Sequence, residues 1–174
     1  MPRRRSHRPD VEVFAEIGII DQLATTRIDR LLPDSLTSAQ FSVLNHLAVH
    51  GREETPASLA DIFLVTKGAM TNTLQRLEGR ALILVTGDPT DARRKKVSIT
   101  EEGHKAYTDC VAALRPMMES MREAFTQDEF QDALPFLNAL RVWLVETRNE
   151  TRTAGKTEAE PAPGPSPKAT EIWR

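Results

Sequence analysis

Four consecutive cations follow a cluster of turn-forming residues and precede an alternating run at 97–99. Guanidinium and ammonium groups held together on a stiff element neutralise phosphates, so the run predicts contact with a polyanion. The chain of 174 residues has a net charge of -2, which alone gives no argument for nucleic-acid binding. The charge is unevenly distributed, however: residues 67–96 carry +4 and residues 101–150 carry -5. The four consecutive cations are Arg93, Arg94, Lys95 and Lys96.

A polar, acid-free stripe is predicted on a helix that begins after Thr66 and runs to about residue 80. Its opposite face carries Met70, Leu74 and Leu77 at helical spacing, which predicts that face as buried. The polar face can hydrogen-bond to base edges or phosphates. A solvated helix face is the plainer alternative. The stripe and its flanking cations are Lys67, Gly68, Thr71, Asn72, Gln75 and Arg76.

Two further groups could bind or sense small species. His46 and His50 stand four apart on a predicted helix, a spacing that suits a shared metal, although no third ligand is evident nearby. The plainer expectation places His50 near a helix carboxyl end and His46 on the surface or in a cleft wall. Cys110 lies on an apolar stripe with Ala106, Ala113, Met117 and Met121, which predicts a buried thiol rather than a redox sensor.

Six helices and one hairpin must position these residues. The first helix is predicted over 9–32; Thr37 and Gln40 form a capping box for the second, and Thr55-Pro56 starts a short third. Two strands at 82–85 and 97–99, joined by a turn cluster, form the hairpin. Thr100 caps a long fifth helix, and a sixth spans about 128–148. A short helix, a polar-faced helix and a basic hairpin are typical of a winged helix-turn-helix.

The resemblance to a known family depends on the order of three motifs. They are Leu74-Gln75-Arg76-Leu77-Glu78, Asp91-Ala92-Arg93 and the run from Val97 to Gly103, which resemble the patterns of the MarR family of bacterial transcriptional regulators. This resemblance implies a mainly α fold with a small β-hairpin wing and long dimerisation helices. It also implies a homodimer on a pseudo-palindromic operator in double-stranded DNA, and a cleft for a small-molecule effector. One departure is Ala81, where the family usually has glycine.

On this interpretation, Arg93 at the hairpin tip enters the minor groove with Asp91 fixing its direction, while Arg94 and Lys95 contact phosphates. We expect a basic arm at 1–8 (Arg3, Arg4, Arg5 and Arg8), a MarR-type domain at 9–149 and a disordered, proline-rich tail at 150–174. Within the domain, the winged lobe spans 37–100 and the dimerisation helices span 9–32 and 101–148.

The composition bounds the class of protein. No apolar run reaches membrane-spanning length and no signal peptide is apparent, so we expect a cytoplasmic protein that does not bind membranes. The sequence contains no catalytic or phosphate-loop motif, so we expect neither an enzyme nor a cofactor. The main hypothesis is a DNA-binding repressor released by a ligand. The alternatives are a winged-helix module that docks a protein, and a metal- or redox-sensing regulator of the same family.

Overall fold

The computed structural model describes residues 8–88 and 91–154, with the backbone alone described for 88, 91–94 and 148–154. Within this part the chain is mainly helical, with one antiparallel hairpin, as the sequence predicts. The elements in chain order are α1 (Pro9–Leu31), a 3-10 turn (Pro33–Ser35), α2 (Ser38–His50), α3 (Pro56–Ile62), α4 (Lys67–Glu78), β1 (Ile83–Asp88), β2 (Asp91–Ile99), α5 (Glu101–Ala124) and α6 (Gln127–Ala154).

Threonine side chains start α2, α3 and α4, as the sequence predicts. Thr37 accepts from the Gln40 amide while the Gln40 side chain accepts from the Thr37 amide, which completes the capping box of α2. Thr55 accepts from the Ser58 amide ahead of Pro56, and Thr66 accepts from the Ala69 amide at the start of α4. Each cap satisfies an amide that has no partner inside its helix. The caps therefore fix where α2, α3 and α4 begin.

The hairpin is longer than predicted, because the ladder continues through the basic run on β2. Pairing runs regularly from Ile83 with Ile99 to Gly87 with Lys95. It then jumps to Asp88 with Asp91, which leaves residues 92–94 in an irregularity of β2. The connecting residues 89–90 lie outside the described residues. Arg93, which we expected at the tip, is the third residue of β2.

The core lies where α2, α3, α4 and β2 meet. Leu44, Leu59, Leu77 and Val97 each have no exposed surface. α3 packs against α4, and α4 packs in turn against β1, while α2 contacts both α4 and β2. Burial of these aliphatic side chains is the main stabilising contribution, at about 1.5–3 kcal/mol for each. The predicted apolar face of α4 is confirmed by the burial of Met70, Leu74 and Leu77.

The chain divides into two compact units, the first ending at Leu114 and the second beginning at Arg115. The predicted α5 stripe is only partly buried: Cys110 has no exposed surface, whereas Met121 is 40% exposed. Helical backbone in α6 continues to Ala154, beyond the predicted start of the tail, and residues 155–174 lie outside the described part. None of the described helices is both long and apolar enough to span a bilayer.

Candidate nucleic-acid interface

One face of α4 presents the predicted polar stripe to solvent. Asn72, Gln75 and Arg76 are exposed, as are Lys67, Gly68 and Thr71. The Thr71 hydroxyl donates to the Lys67 carbonyl at 2.8 Å, so its oxygen remains able to accept from another group. Since Met70, Leu74 and Leu77 hold the opposite face in the core, the polar stripe is fixed outward. From Lys67 to Arg76 the helix therefore displays donors and acceptors without a carboxylate among them, and its one acid, the exposed Glu78, is its last residue.

Among the described residues, no neighbour of Gly68 requires a glycine at that position. A Cβ built at this position meets nothing within 4 Å, and the residue lies in regular helix. Glycine in a helix costs up to about 1 kcal/mol relative to alanine. A glycine that no neighbour requires is typical of a surface that another molecule approaches closely.

The cations of β2 divide into separate roles. Lys95 is exposed, whereas Lys96 lies 3.1 Å from Glu53 and forms a partly exposed ion pair. The side chains of Asp91, Arg93 and Arg94 lie outside the described part, so the expected pairing of Asp91 with Arg93 stays a prediction. The ion pair favours Lys95 over Lys96 as a contact to a polyanion.

Thr100 ties the end of α4 to the start of α5. Its hydroxyl donates to the Ala81 carbonyl at 2.8 Å and accepts from the Gly103 amide at 3.0 Å. The Thr100 amide also donates to the Leu82 carbonyl. Ala81 has a φ of 56°, in the left-handed region, and follows the end of α4 at Glu78. Position 81 therefore has the conformation that favours glycine, although alanine occupies it.

A buried polar cluster at the base of the hairpin was not foreseen. His46 is 3% exposed, so it does not lie on the surface, which was one of the two places expected for it, and its place in a cleft wall stays a prediction. Its Nε2 lies 3.4 Å from Oε1 of Glu54, which is 8% exposed and also accepts from Arg52 and Ser58. Nδ1 of His46 has no hydrogen-bond partner among the described residues. A lone glutamate in a turn segment carries no periodic signal, so the sequence could not reveal this cluster.

The charges of this cluster follow from burial and hydrogen bonding. Burial lowers the pKa of His46, since the charged ring would lose its hydration. Burial alone would raise the pKa of Glu54, but hydrogen bonds from Ser58, Arg52 and His46 outweigh it and lower that pKa. Near neutral pH the cluster therefore holds an ionised carboxylate beside a neutral imidazole. Because a carboxylate only accepts, the hydrogen of the neutral ring lies on Nε2.

His46 and His50, considered as metal ligands, and Cys110, considered as a redox sensor, lie in surroundings that do not favour these roles. His50 lies in the last turn of α2, as predicted, with its ring 4.4 Å from that of His46. In the part of the chain that the structure describes, no three His, Cys, Asp or Glu residues are placed to hold a metal ion. Burial, followed by the charge of Asp109, raises the pKa of Cys110 to about 11. A thiol in that state is a poor nucleophile toward peroxide.

Comparisons with known proteins agree on one family. The MarR family model matches residues 34–94. Transcriptional regulator HosA of Escherichia coli O111:H- is 33% identical over 114 residues, covering 66% of this chain and 80% of HosA. The repressor MdtR of Bacillus subtilis strain 168 is 25% identical over 116 residues, covering 67% of this chain and 74% of MdtR. A mutant E. coli MarR crystallised with operator DNA superposes with a TM-score of 0.61 at 25% identity, covering 72% and 93% of the two chains.

Proposed function

Because the chain belongs to the MarR family, whose matched members are transcriptional regulators rather than enzymes, we propose that it is a dimeric repressor that binds a pseudo-palindromic operator. The observation that carries the proposal is the outward, acid-free stripe of α4 beside a hairpin that carries consecutive cations. The matched MdtR is a repressor, and the matched mutant MarR was crystallised on operator DNA. Both support the same role for this chain. Such a regulator acts on the chromosome, so we place it in the cytoplasm.

In this proposal α4 enters the major groove. Its 12 residues give a rod of about 18 Å, long enough to cross a groove about 12 Å wide. Asn72 and Gln75 are suited to pair with adenine, and Arg76 with guanine or a phosphate. Lys67, Gly68 and Thr71 lie on the first turns, where the backbone of the duplex comes close. Replacing Asn72 with alanine should reduce discrimination between operator variants more than it reduces overall affinity.

The hairpin supplies the second contact. Arg93 carries a guanidinium suited to a narrow minor groove, whose negative potential attracts it, with Asp91 beside it in the sequence. Arg94 and Lys95 neutralise phosphates. Lys96 is left out of this set because its ammonium is paired with Glu53. The hairpin therefore adds mostly affinity, while α4 adds specificity.

The homodimer is supported by apolar surface that one copy leaves uncovered. α1 contains no buried residue, and neither does α6 as far as its side chains are described, up to residue 147, yet each carries large apolar side chains. Leu23 and Ile20 on α1 are 65% and 60% exposed, and Trp143 and Phe136 on α6 are 54% and 55% exposed. Apolar surface on this scale marks a protein interface. Two copies would present their α4 helices about 34 Å apart, on one side of the duplex.

We also propose that a small molecule releases the repressor from its operator, and membership of the MarR family supports this part of the proposal. An effector would have to prefer a dimer whose lobes are spaced wrongly for the operator, since equal affinity for both states shifts nothing. Screening compounds for loss of anisotropy from a bound, labelled operator tests this part separately. A compound that also raises the melting temperature of the free protein binds the protein itself.

The test of DNA binding is a fluorescence anisotropy titration with duplexes selected from a random pool. The parent protein should bind, and Arg93→Ala should bind every duplex more weakly, with a salt dependence shallower by about one phosphate contact. Arg122→Ala, the same change at an exposed position on α5, serves as the control and should bind like the parent. If Arg93→Ala matches the parent, the assignment of the wing is wrong. A parent that ignores all duplexes even at low ionic strength would instead favour a protein-docking module.

A further inference from the structure

Strand β2 has a neighbour on each of its edges at Val97. Glu54 and Val97 exchange both of their backbone hydrogen bonds, at 3.0 Å and 2.7 Å, as in a short antiparallel ladder. β2 is therefore held between β1 on one side and the segment before α3 on the other. Val97 has no exposed surface, so this junction belongs to the core. Glu54 is therefore one of the backbone contacts that hold the base of the wing.

The Glu54 carboxylate is held from three directions. Arg52 Nε and Ser58 Oγ each donate to it at 2.8 Å, one from the segment before it and the other from α3. His46 Nε2 approaches from α2 at 3.4 Å. A carboxylate with three convergent donors has a defined position, because each bond restrains it along a different line. The segment that pairs with β2 is thus tied to both helices beneath it.

Stability alone does not explain why an ionised carboxylate is buried at position 54. An ionised group taken out of water costs several kcal/mol, and an apolar residue of similar size would often fill the site at lower cost. The geometry points to a positioning role. α3 packs against α4, so a link from β2 through Glu54 to α3 adds to the direct packing of β1 on α4 in placing the hairpin relative to the helix with the polar stripe.

We propose that Glu54 is a positioning residue for DNA binding, whose buried carboxylate holds the base of the wing so that wing and α4 reach one duplex together. The proposal rests on the proposed function, since it assigns the geometry of that same interface. Glu54 itself does not contact DNA in this scheme. Its effect passes through Val97 to the cations farther along β2.

The neighbouring glutamate provides a matched control. Glu53 is half exposed and pairs with Lys96 at the surface, a kind of pair that contributes little. Glu53→Gln and Glu54→Gln make the same chemical change one residue apart, and both remove one negative charge near the cations. By charge alone, both variants should bind DNA more tightly than the parent. Positioning by Glu54 predicts the opposite sign for Glu54→Gln alone.

The first experiment compares duplex binding of the parent and the two variants by anisotropy, with circular dichroism to confirm folding. Glu54→Gln should bind about tenfold more weakly, equal to about 1.4 kcal/mol, because the amide replaces one acceptor with a donor that faces other donors. Glu53→Gln should bind as tightly as the parent or more so. Ser58→Ala removes one donor and keeps the carboxylate, and it should weaken binding in the same direction by a smaller factor. It decides the question if Glu54→Gln does not fold.

A double-mutant cycle separates positioning from general loss of structure. Arg93→Ala should cost less affinity in the Glu54→Gln background than in the parent, because the wing is already displaced. Arg76→Ala on α4 should cost the same in both backgrounds. Glu54→Gln binding as tightly as the parent, or full additivity with Arg93→Ala, would overturn the proposal while leaving DNA binding intact. Failure of the parent itself to bind DNA would instead reject the proposed function.

Discussion

Gly103 in the first turn of α5 lies so close to Leu82 that a side chain at position 103 would overlap the Leu82 carbonyl oxygen. A Cβ at Gly103 would also come within 2.7 Å of Ile99 Cγ1. Position 103 therefore requires a residue without a side chain, because α5 packs directly on the backbone at the base of the hairpin.

Replacing Gly103 with alanine should lower the free energy of unfolding by about 1–3 kcal/mol, because the backbone must shift to admit the methyl group. Urea denaturation followed by circular dichroism measures the change. Glu102→Ala, the exposed neighbour, is the control and should change stability by less. An unchanged midpoint for Gly103→Ala would show that α5 does not approach Leu82 this closely.

Glycine at position 81 should stabilise the protein. Ala81 has a φ of 56°, and a left-handed conformation costs a residue with a Cβ about 1–2 kcal/mol. Part of that gain is lost because glycine has more freedom in the unfolded chain, so we expect a net gain of about 1 kcal/mol for Ala81→Gly. The reverse change Gly51→Ala, at a φ of 59° with open space around it, should destabilise by a similar amount. Thermal unfolding of the two variants checks both signs.

Replacing Gly68 of α4 should change the stability of the protein and its affinity for the operator in opposite directions. Gly68→Ala should raise the free energy of unfolding by up to about 1 kcal/mol, because alanine is the better helix former and the site is open. It should weaken operator binding, because the methyl group occupies space that the duplex needs. Ala69→Gly at the next position should lower stability and so measures the helix contribution alone. A Gly68→Ala protein that gains stability and binds DNA normally would remove Gly68 from the interface.

Acid should destabilise the protein through the cluster at the base of the hairpin. The lowered pKa of His46 contributes stability that is present above pH 6.5 and is lost as the pH falls from there toward the folded-state pKa. Protonation would also place a hydrogen on Nδ1, a buried donor with no partner among the described residues. The lowered pKa of Glu54 adds a second loss below pH 4.5.

Urea midpoints between pH 7.5 and 5 measure the first of these losses. His46→Gln should show a smaller fall than the parent over this range, since its amide does not titrate. His104→Gln, an exposed histidine on α5, should keep the fall of the parent. Equal falls for the parent and His46→Gln would exclude His46 as the source.

The exposed face of α1 should mediate association. Leu23→Glu places a charge on a side chain that is 65% exposed in one copy, so the fold of the single chain should survive while the dimer dissociates. Sedimentation velocity measures the assembly state. Leu84→Glu on β1, at 53% exposure, should leave the dimer unchanged. A Leu23→Glu protein that sediments like the parent would place the interface elsewhere.

The sequence was most informative where local chemistry decides structure. Thr37, Thr55 and Thr66 predicted three helix starts, because a cap needs only its neighbours within three residues. The burial of His46 and Glu54 was not predicted. It depends on the pairing of Glu54 with Val97, which lies 43 residues after Glu54 in the chain. The end of α6 was placed too early, because the composition near residue 150 resembles that of the tail. The predicted span of α6 could not show that one copy leaves its large apolar side chains exposed.

The pairing of Glu54 with Val97 also affects how copies of the chain meet one another. An unpaired strand edge invites intermolecular β-pairing and, through it, aggregation. Here the outer edge of β2 is already occupied at Val97, and the stretch toward the turn carries Arg93, Arg94 and Lys95, after Lys96, which pairs with Glu53. A second hairpin aligned on that stretch would bring cations against cations. The cations proposed to attract DNA therefore also oppose β-pairing between copies of the chain when no DNA is bound.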